Sequence, residues 1–247
     1  TALLRTLGVR SLRSEPGYYG LSAAVGAVEV TPLEVASLYA ALAHDGHPMP
    51  LRFLGSEPLP AGRGPAAFSG EAASLTRQVL SRRDRPDFPD RAKFSGQASG
   101  IHWKTGTSFG HRDAWAAGSS DRYTAVVWLG NLDSRPSSAL VGGPAAGPIL
   151  FDVLESTRSP AAVSGDAPPD GLKPIAVCAY SGYPPGPACP EQRQVLAPVR
   201  SVPTMTCPYH MQFEVDASSG MAVTPACRAR HRSELRSLGV PAFSDRH

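Results

Sequence analysis

The sequence predicts an α+β fold, in which an antiparallel sheet carries helices packed on its faces and is followed by a small, cysteine-bearing, β-rich domain. Three observations predict it. Between residues 101 and 131 the pattern changes to a period of two, which is typical of short strands joined by turns. The segments before and after this region repeat apolar residues at helical spacing. All four cysteines fall in the last third of the 247-residue chain.

Composition excludes several classes of protein. A hydrophobic content of 42% supports a real core. The net charge of +3 is small, and no basic stripe alternates with aromatic residues, so a nucleic-acid partner is not expected. No apolar run approaches the roughly 18 residues needed to span a bilayer. Because the first residue is Thr1 rather than Met, we expect the chain to have been cut from a longer one, with any membrane anchor or export signal in the missing part.

Two helices are predicted before the strands. The first has a strong start, because Thr31 can cap it, Pro32 takes the first helical position and Glu34 lies in its first turn. "LEVASLYAALA" continues it at helical spacing, and Gly46 ends it. A second helix is predicted from Ser69, as its cap, through "GEAASLTRQVLSRR".

Three strands and a further helix complete the predicted first domain, residues 1–156. "IHWKTGTS", "DAWAAGSS" and "RYTAVVWLGN" read as strands of an antiparallel meander, with "GHR" and "SSDR" as connectors. After a loop rich in Gly and Pro, "GPAAGPILFDVLEST" predicts a helix able to lie across one face of the sheet.

Residues 157–173 are rich in Pro, Ala, Ser and Gly and are predicted to be an interdomain linker. The remainder, residues 174–247, is predicted to be a small domain with short β-like runs such as "MQFEVD" and a late helical piece, "RSELRSLG". Domains of this size often need covalent cross-links such as disulfides to be stable.

The cysteines of that small domain leave three readings open. An even number of cysteines in a Pro-rich segment favours disulfides in an oxidising compartment. Zinc is the rival, because "CPYH" places a cysteine and His210 close together, although the other intervals are long for a zinc site. Free or partly paired thiols are the third. The candidates are Cys178, Cys189, Cys207 and Cys227.

The stretch "WKTGTS" contains the main candidate for a binding site. Gly106 has no side chain, so a substrate backbone can approach the strand edge there. Thr105 and Thr107 point to one face at period two, so both hydroxyls can meet one carboxylate. Lys104 lies on the adjoining side and adds positive charge. The backbone N–H of Thr107 can polarise a carbonyl if this is an edge strand.

The same residues carry a resemblance to a known family. "WKTGTSFGHRDAWAAGSSDRYTAVVWLGN" resembles the third motif and following strands of penicillin-binding serine transpeptidases, whose motif set is S-x-x-K, S-x-N or S-D-N, and K-T-G. "GLSAAVGAVEVTPLEVASLYAALAHDG" and "GGPAAGPILFDVLE" are similar to segments of class A bifunctional penicillin-binding proteins. The tail, from "VCAYSGYPPGPACP" through "CPYHMQFEVDASSG", resembles the cysteine-bearing extension of the 1C subgroup.

The resemblance implies a role for each residue of the motif and a partial transpeptidase domain of the penicillin-binding, β-lactamase-like fold. Lys104 would be catalytic, helping the proton network and orienting the substrate. Thr105, Gly106 and Thr107 would form the substrate-binding edge, with the hydroxyls on the carboxylate of a D-alanyl-D-alanine stem or of a β-lactam. The Thr107 amide would form half of the oxyanion hole.

The resemblance also implies the partners and location of the parent protein. Its ligands would be peptidoglycan stem peptides or lipid-linked precursors, and β-lactams, with no cofactor or metal in the reaction. The parent would be held at the periplasmic face of the bacterial inner membrane by a missing amino-terminal region, which would also bear a peptidoglycan glycosyltransferase. Residues 174–247 would be a candidate site for protein partners.

Two motifs of the family are absent from the sequence. The positions three residues before the three lysines are Asp90, Ile101 and Asp170, so no S-x-x-K exists. The single asparagine, Asn131, follows Leu129 at the required interval, so no S-x-N exists either. The reaction needs a serine nucleophile activated by a neighbouring base. We therefore expect the chain alone to be inactive.

Three hypotheses follow. The first is a fragment of a transpeptidase that cross-links cell-wall stem peptides through an acyl-enzyme. The second is a non-catalytic module that binds cell-wall peptides or proteins. The third is a degenerate product of a broken reading frame, which would fold poorly and expose apolar surface.

Overall fold

The computed structural model describes residues 2–15, 17–58, 64–81, 100–157, 169–224 and 233–238. The chain divides into two compact units, Thr1–Pro169 and Asp170–His247. Among the described residues, no helix combines the length and the apolar character needed to cross a membrane.

The described residues of the first unit form four α-helices: α1 (Ala2–Thr6), α2 (Pro32–Ala43), α3 (Gly70–Leu80) and α4 (Gly147–Ser156). A 3₁₀-helix, Gly20–Val25, lies between α1 and α2, and a π-helical turn, Gly142–Ala146, leads into α4.

The predicted helix starts are confirmed. The Thr31 hydroxyl accepts the Glu34 N–H at 3.2 Å, and the Glu34 carboxylate accepts the Thr31 N–H at 2.8 Å, which forms a capping box. Ser69 caps α3 by accepting the Ala72 N–H at 3.3 Å. Beyond α2, Gly46 has φ +88°, and a Cβ there would overlap the carbonyl of Phe68, so both backbone and packing require glycine.

The sheet of the first unit is the predicted meander. Its strands are β1 (His102–Thr107), β2 (Asp113–Ser119) and β3 (Thr124–Gly130), and both pairs are antiparallel in the order β1-β2-β3. Gly106 pairs with Trp115, which pairs in turn with Trp128.

Helix α4 covers one face of this sheet and forms the main core with it. Trp103 of β1 meets Phe151 of α4 edge to face, with ring centroids 5.0 Å apart. Alanines on β2 let the helix approach closely, as in the tight packing of protein interiors. The buried cluster comprises Ile101, Trp103, Ala114, Ala116, Ala146, Leu150, Phe151 and Leu154.

The described residues of the second unit form two separate two-stranded antiparallel sheets. β4 (Leu172–Cys178) pairs with β5 (Gln192–Pro198), and β6 (Met211–Asp216) pairs with β7 (Ser233–Leu238). A short 3₁₀-helix, Val199–Ser201, follows β5. β4 begins inside the range 157–173 that we predicted as linker, whereas residues 158–168 of that range lie outside the described residues.

The prediction of a late helix at "RSELRSLG" is wrong. Leu235 and Leu238 have helical spacing, but Ser233–Leu238 is a strand, in which Arg236 pairs with Phe213 of β6. The residues of a short segment have weak preferences, and a partner strand that satisfies the backbone overrides them.

One carboxylate joins the start of α2 to the loop after α1. Glu34 accepts the N–H groups of Arg10 and Ser11 at 2.6 and 2.9 Å, the Ser11 hydroxyl at 2.7 Å and the Thr31 N–H at 2.8 Å. Partial burial raises the pKa of Glu34, but the hydrogen bonds from Thr31, Ser11 and Arg10 outweigh it and lower the pKa to about 2.

We expect Glu34→Gln to destabilise the first unit by about 1–2 kcal/mol at neutral pH, because it removes the charge that these hydrogen bonds hold, in a site that solvent partly screens. A lowered folded-state pKa means that the unfolded chain binds the proton first, so this stability is present above about pH 4.5 and is lost as the pH falls toward 2. Urea unfolding between pH 2 and pH 7 measures it. Glu15→Gln, which removes the same charge from an exposed side chain, is the control, and an equal loss in both variants would contradict the assignment.

Candidate functional site

β1 is an edge strand, and the residues of the K-T-G motif lie along it. It pairs with β2 on one side, and no other described strand pairs with it. Lys104, Gly106 and Thr107 are exposed, and Thr105 is half-buried. Among the described strands, the strand that carries the K-T-G motif therefore lies at an edge of the sheet, which is the condition for its N–H groups to reach a ligand.

The direction of the backbone groups follows from one hydrogen bond. The Ser108 N–H donates to the Asp113 carbonyl at 3.0 Å and so points toward β2. Because successive N–H groups of a strand alternate in direction, the N–H groups of Thr105 and Thr107 point away from β2, toward the unpaired edge. The Thr107 N–H is thus directed at the open edge, and its predicted role in polarising a carbonyl stays a prediction.

The side chains of β1 divide between the two faces. Trp103, Thr105 and Thr107 share the face that α4 covers, whereas Lys104 and Gly106 belong to the other face. On the α4 face, exposure increases along the strand, from the buried indole of Trp103 to the exposed Thr107. The two threonine hydroxyls therefore share one face, at the end where the core opens to solvent.

Thr107 is held by a backbone group that the sequence analysis missed. Its hydroxyl oxygen accepts the N–H of Gly142, which begins the π-helical turn before α4, at 2.9 Å. A hydroxyl has one hydrogen to donate in addition to its acceptor sites, so Thr107 keeps a donor for a ligand. A Cβ at Gly142 would overlap the Gly106 carbonyl oxygen and lie 2.8 Å from that of Trp115, so the glycine pair in "VGGP" was the available signal.

Lys104 provides a cation at the same edge. Its Nζ donates to the Thr105 carbonyl at 2.6 Å, which uses one of its three hydrogens. Within the described part of the chain, no carboxylate lies in salt-bridge range of Lys104. Its positive charge is therefore available to an anionic ligand.

Neighbouring polar residues have structural contacts. Asp113 accepts the indole N–H of Trp128 at 2.9 Å, and the Ser108 hydroxyl accepts the backbone N–H groups of Arg112 and Asp113. The Nδ1 atom of His102 lies 2.7 Å from the Ser81 hydroxyl just after α3. These contacts hold the ends of β1 in place.

The cysteines of the second unit depart from the disulfide expectation. Cys178, Cys189 and Cys207 are free thiols in the structure, and Cys227 lies outside the described residues. A disulfide would bring two sulfurs to about 2.05 Å. The three sulfurs instead surround His210, with Sγ–Nδ1 distances of 3.4, 3.7 and 3.3 Å respectively.

The surroundings of the cysteines shift the pKa values of Cys207 and Cys189 in opposite directions. Burial raises the pKa of Cys207, but hydrogen bonds from Ser181 and His210 outweigh it and lower the pKa to about 6. Burial raises the pKa of Cys189 to about 11, and the neighbouring sulfurs of Cys178 and Cys207 add to this rise. Hydrogen-bond donors thus favour a thiolate at Cys207. Because negative charges repel one another, several neighbouring thiolates are disfavoured unless a cation is bound between them.

Comparison with known proteins places both units in context. No protein-family model matches the chain. The chain is 31% identical over 191 residues to penicillin-binding protein 1C of Escherichia coli (strain K12), covering 77% of this chain and 24% of that protein. It is 31% identical over 151 residues to penicillin-binding protein 1B of Vibrio cholerae serotype O1, covering 56% of this chain and 18% of that protein. The chain thus spans about a quarter or less of the length of these relatives.

A solved structure supports the fold. The crystal structure of penicillin-binding protein 1A from Haemophilus influenzae superposes with a TM-score of 0.62 at 18% identity, covering 83% of this chain and 37% of that one. At this identity the likeness concerns the fold alone, and it confirms the predicted α+β class.

Two glycine substitutions test the difference between Gly142, which is packed against backbone atoms, and Gly106, which has open space beside it. We expect Gly142→Ala to lower the free energy of unfolding by about 1–3 kcal/mol, because the new methyl group meets backbone atoms that cannot move aside. We expect Gly106→Ala to leave it unchanged or raise it by up to about 1 kcal/mol, since the nearest atom to the new methyl group is 3.8 Å away. Tryptophan fluorescence during urea unfolding reports on this unit alone, as all three tryptophans lie in its sheet. Equal effects of the two variants would contradict the geometry.

Proposed function

Because the chain belongs to the class A penicillin-binding proteins, we propose that it supplies the substrate-binding edge strand of a serine-type peptidoglycan D-Ala-D-Ala transpeptidase. The observation that carries the proposal is the open edge of β1, where Lys104 and the hydroxyls of Thr105 and Thr107 surround an exposed glycine.

The chemistry of a D-Ala-D-Ala terminus matches this edge group by group. Its carboxylate would accept hydrogen bonds from Thr105 and Thr107 while Lys104 supplies the balancing charge. Its penultimate carbonyl would accept the outward-directed N–H of Thr107, which would stabilise the negative oxygen that develops during acyl transfer. Gly106 would let the peptide backbone come close to the strand. A β-lactam offers the same carboxylate and carbonyl and would bind in the same way.

The covalent step would depend on residues that this sequence lacks. In the full reaction a serine would attack the penultimate D-Ala carbonyl, D-Ala would leave, and an amine of a neighbouring stem would resolve the acyl-enzyme. Lys104 would take part in the proton network of that site. The parent protein would also carry a peptidoglycan glycosyltransferase, use lipid-linked precursors and be anchored at the periplasmic face of the inner membrane.

A second candidate function is a module that binds cell-wall peptides or protein partners without chemistry. The sequence contains the third motif but no S-x-x-K, so reversible carboxylate recognition is the function that the chain could perform alone. In this case residues 174–247 would be the candidate protein-binding part.

We expect the isolated chain to form no covalent adduct with a fluorescent penicillin, because it contains no S-x-x-K serine to be acylated. Denaturing gel electrophoresis after incubation measures labelling, with an intact class A penicillin-binding protein as the positive control. A labelled band from the isolated chain that survives denaturation would overturn the prediction.

We expect the isolated chain to bind diacetyl-Lys-D-Ala-D-Ala weakly and reversibly, with chemical-shift changes centred on residues 104–107. Esterifying the terminal carboxylate, or the substitution Thr107→Val, should weaken binding about ten-fold or more, because each removes a hydrogen bond to a charged group. Thr107→Ser keeps the hydroxyl and should retain binding, and Thr124→Val on the opposite edge strand is the control for folding. Undiminished binding of the ester would count against carboxylate recognition.

A further inference from the structure

Three cysteines and one histidine of the second unit converge on a common point. The sulfurs of Cys178, Cys189 and Cys207 and a ring nitrogen of His210 all lie within 4.8 Å of one another. Cys178, Cys207 and His210 are buried, and Cys189 is half-buried. We propose that this cluster is a structural Zn²⁺ site with three thiolate ligands and one neutral imidazole ligand, an inference that does not depend on the transpeptidase proposal.

The distances match a tetrahedral zinc centre. Zn–S bonds of about 2.3 Å and Zn–N bonds of about 2.0–2.1 Å, at tetrahedral angles, place sulfur and nitrogen about 3.6 Å apart. The distances from His210 Nδ1 to the sulfurs of Cys178, Cys189 and Cys207 are 3.4, 3.7 and 3.3 Å. All three lie within about 0.3 Å of the value expected for ligands of one ion.

Hydrogen bonds alone do not account for this arrangement. A ring nitrogen of neutral histidine either donates one hydrogen or accepts one, so Nδ1 of His210 cannot bond all three sulfurs at once. A buried polar group without a partner is costly. A cation between the four atoms would satisfy all of them together, because each would direct its lone pair at the same centre.

Three segments of the second unit, the end of β4 and two loops, carry the ligands, and backbone hydrogen bonds hold these segments together. Cys178 ends β4, and its N–H donates to Tyr183 in the following turn at 2.8 Å. The N–H of Cys189 donates to Gly186 at 3.0 Å, and that of Cys207 donates to Pro184 at 2.8 Å. Backbone hydrogen bonds, one of them between segments distant in sequence, therefore hold the ligand-bearing segments in place.

Two donors outside the ligand set point at the sulfurs. The Ser181 hydroxyl lies 3.1 Å from the sulfur of Cys207, and the Gly186 N–H donates to the sulfur of Cys189 at 3.3 Å. Such donors stabilise the negative charge of thiolates and orient metal ligands. Their presence favours thiolate ligands over neutral thiols.

The donor set selects zinc and a structural role. Three sulfurs and one imidazole nitrogen in a tetrahedral arrangement are typical of Zn²⁺, and a site filled by four protein ligands leaves no position for a reacting water. The second unit has a small described core, with Leu172, Val177, Ala188 and Val215 among its few buried apolar side chains. A metal can supply the stability that such a core does not.

The direct test is metal content together with cobalt spectroscopy on the full chain, purified without chelator from zinc-supplemented medium. We expect one zinc per chain, and after exchange with Co²⁺ alone the intense visible absorption of a tetrahedral ion together with a thiolate charge-transfer band. Zinc occupancy near zero with no tetrahedral cobalt spectrum would overturn the proposal. A disulfide between any two of the three cysteines, found by peptide mapping under non-reducing conditions, would also overturn it, since two ligands would be lost.

Variants keep the test informative if ligand removal prevents folding. His210→Cys offers a fourth thiolate and should retain one metal per chain, with a cobalt spectrum shifted toward that of four sulfur ligands. If His210 had only a packing role, this substitution would not change the cobalt spectrum. Ser181→Ala should weaken zinc affinity about ten-fold, as loss of an outer hydrogen bond does, whereas Ser201→Ala should not change it. Cys227→Ser should leave the stoichiometry at one, because four ligands are already present. Loss of metal in Cys227→Ser, or an unchanged cobalt spectrum in His210→Cys, would refute the ligand assignment.

Discussion

The edge position of β1 is the constraint on which the candidate site depends. A strand paired on one side has an unsatisfied row of backbone groups on the other, and such an edge is a template for an extended peptide. In this chain the edge is anchored at one end by the contact of Trp103 with Phe151 and is exposed at the other, where Thr107 lies. The burial of one aromatic side chain thus positions polar groups only a few residues away.

Small residues make this combination possible. The alanines of β2 let α4 pack closely on the sheet, and Gly142 lets the turn before α4 reach the carbonyl groups of β1 and β2. The same turn donates the N–H that orients the Thr107 hydroxyl. Packing and ligand recognition therefore share one segment, and a substitution at Gly142 would disturb both.

The two units differ in the interactions that can stabilise them. The first has a continuous apolar core between α4 and its sheet, whereas the described part of the second has two two-stranded sheets and few buried apolar side chains. In the described part of the second unit, Cys178, Cys207 and His210 are buried together, so the stability of this unit would depend on what binds the sulfurs. Loops joined at such a centre can be held without a large hydrophobic core.

Local sequence patterns predicted much of the first unit. The capping box of α2, the cap of α3 and the period of two in the three strands are short-range features, because they depend on hydrogen bonds and side-chain alternation within a few residues. The segment Ser233–Leu238 shows where such short-range features fail to predict the structure. Its leucines fit a helix as well as a strand, and only pairing with β6 decides between the two.

By itself, the sequence determined the motif on the edge strand, the shared face of Thr105 and Thr107, the likeness to penicillin-binding proteins and the absence of an S-x-x-K motif, because each depends on residue identity and close spacing. Tertiary structure alone decided that Gly142 holds Thr107 and that the cysteines gather around His210 instead of pairing. These contacts join residues 21 to 35 positions apart, or three positions apart within a loop whose conformation no periodicity describes. Spacing along a chain does not encode such distances until the folded backbone brings the groups together.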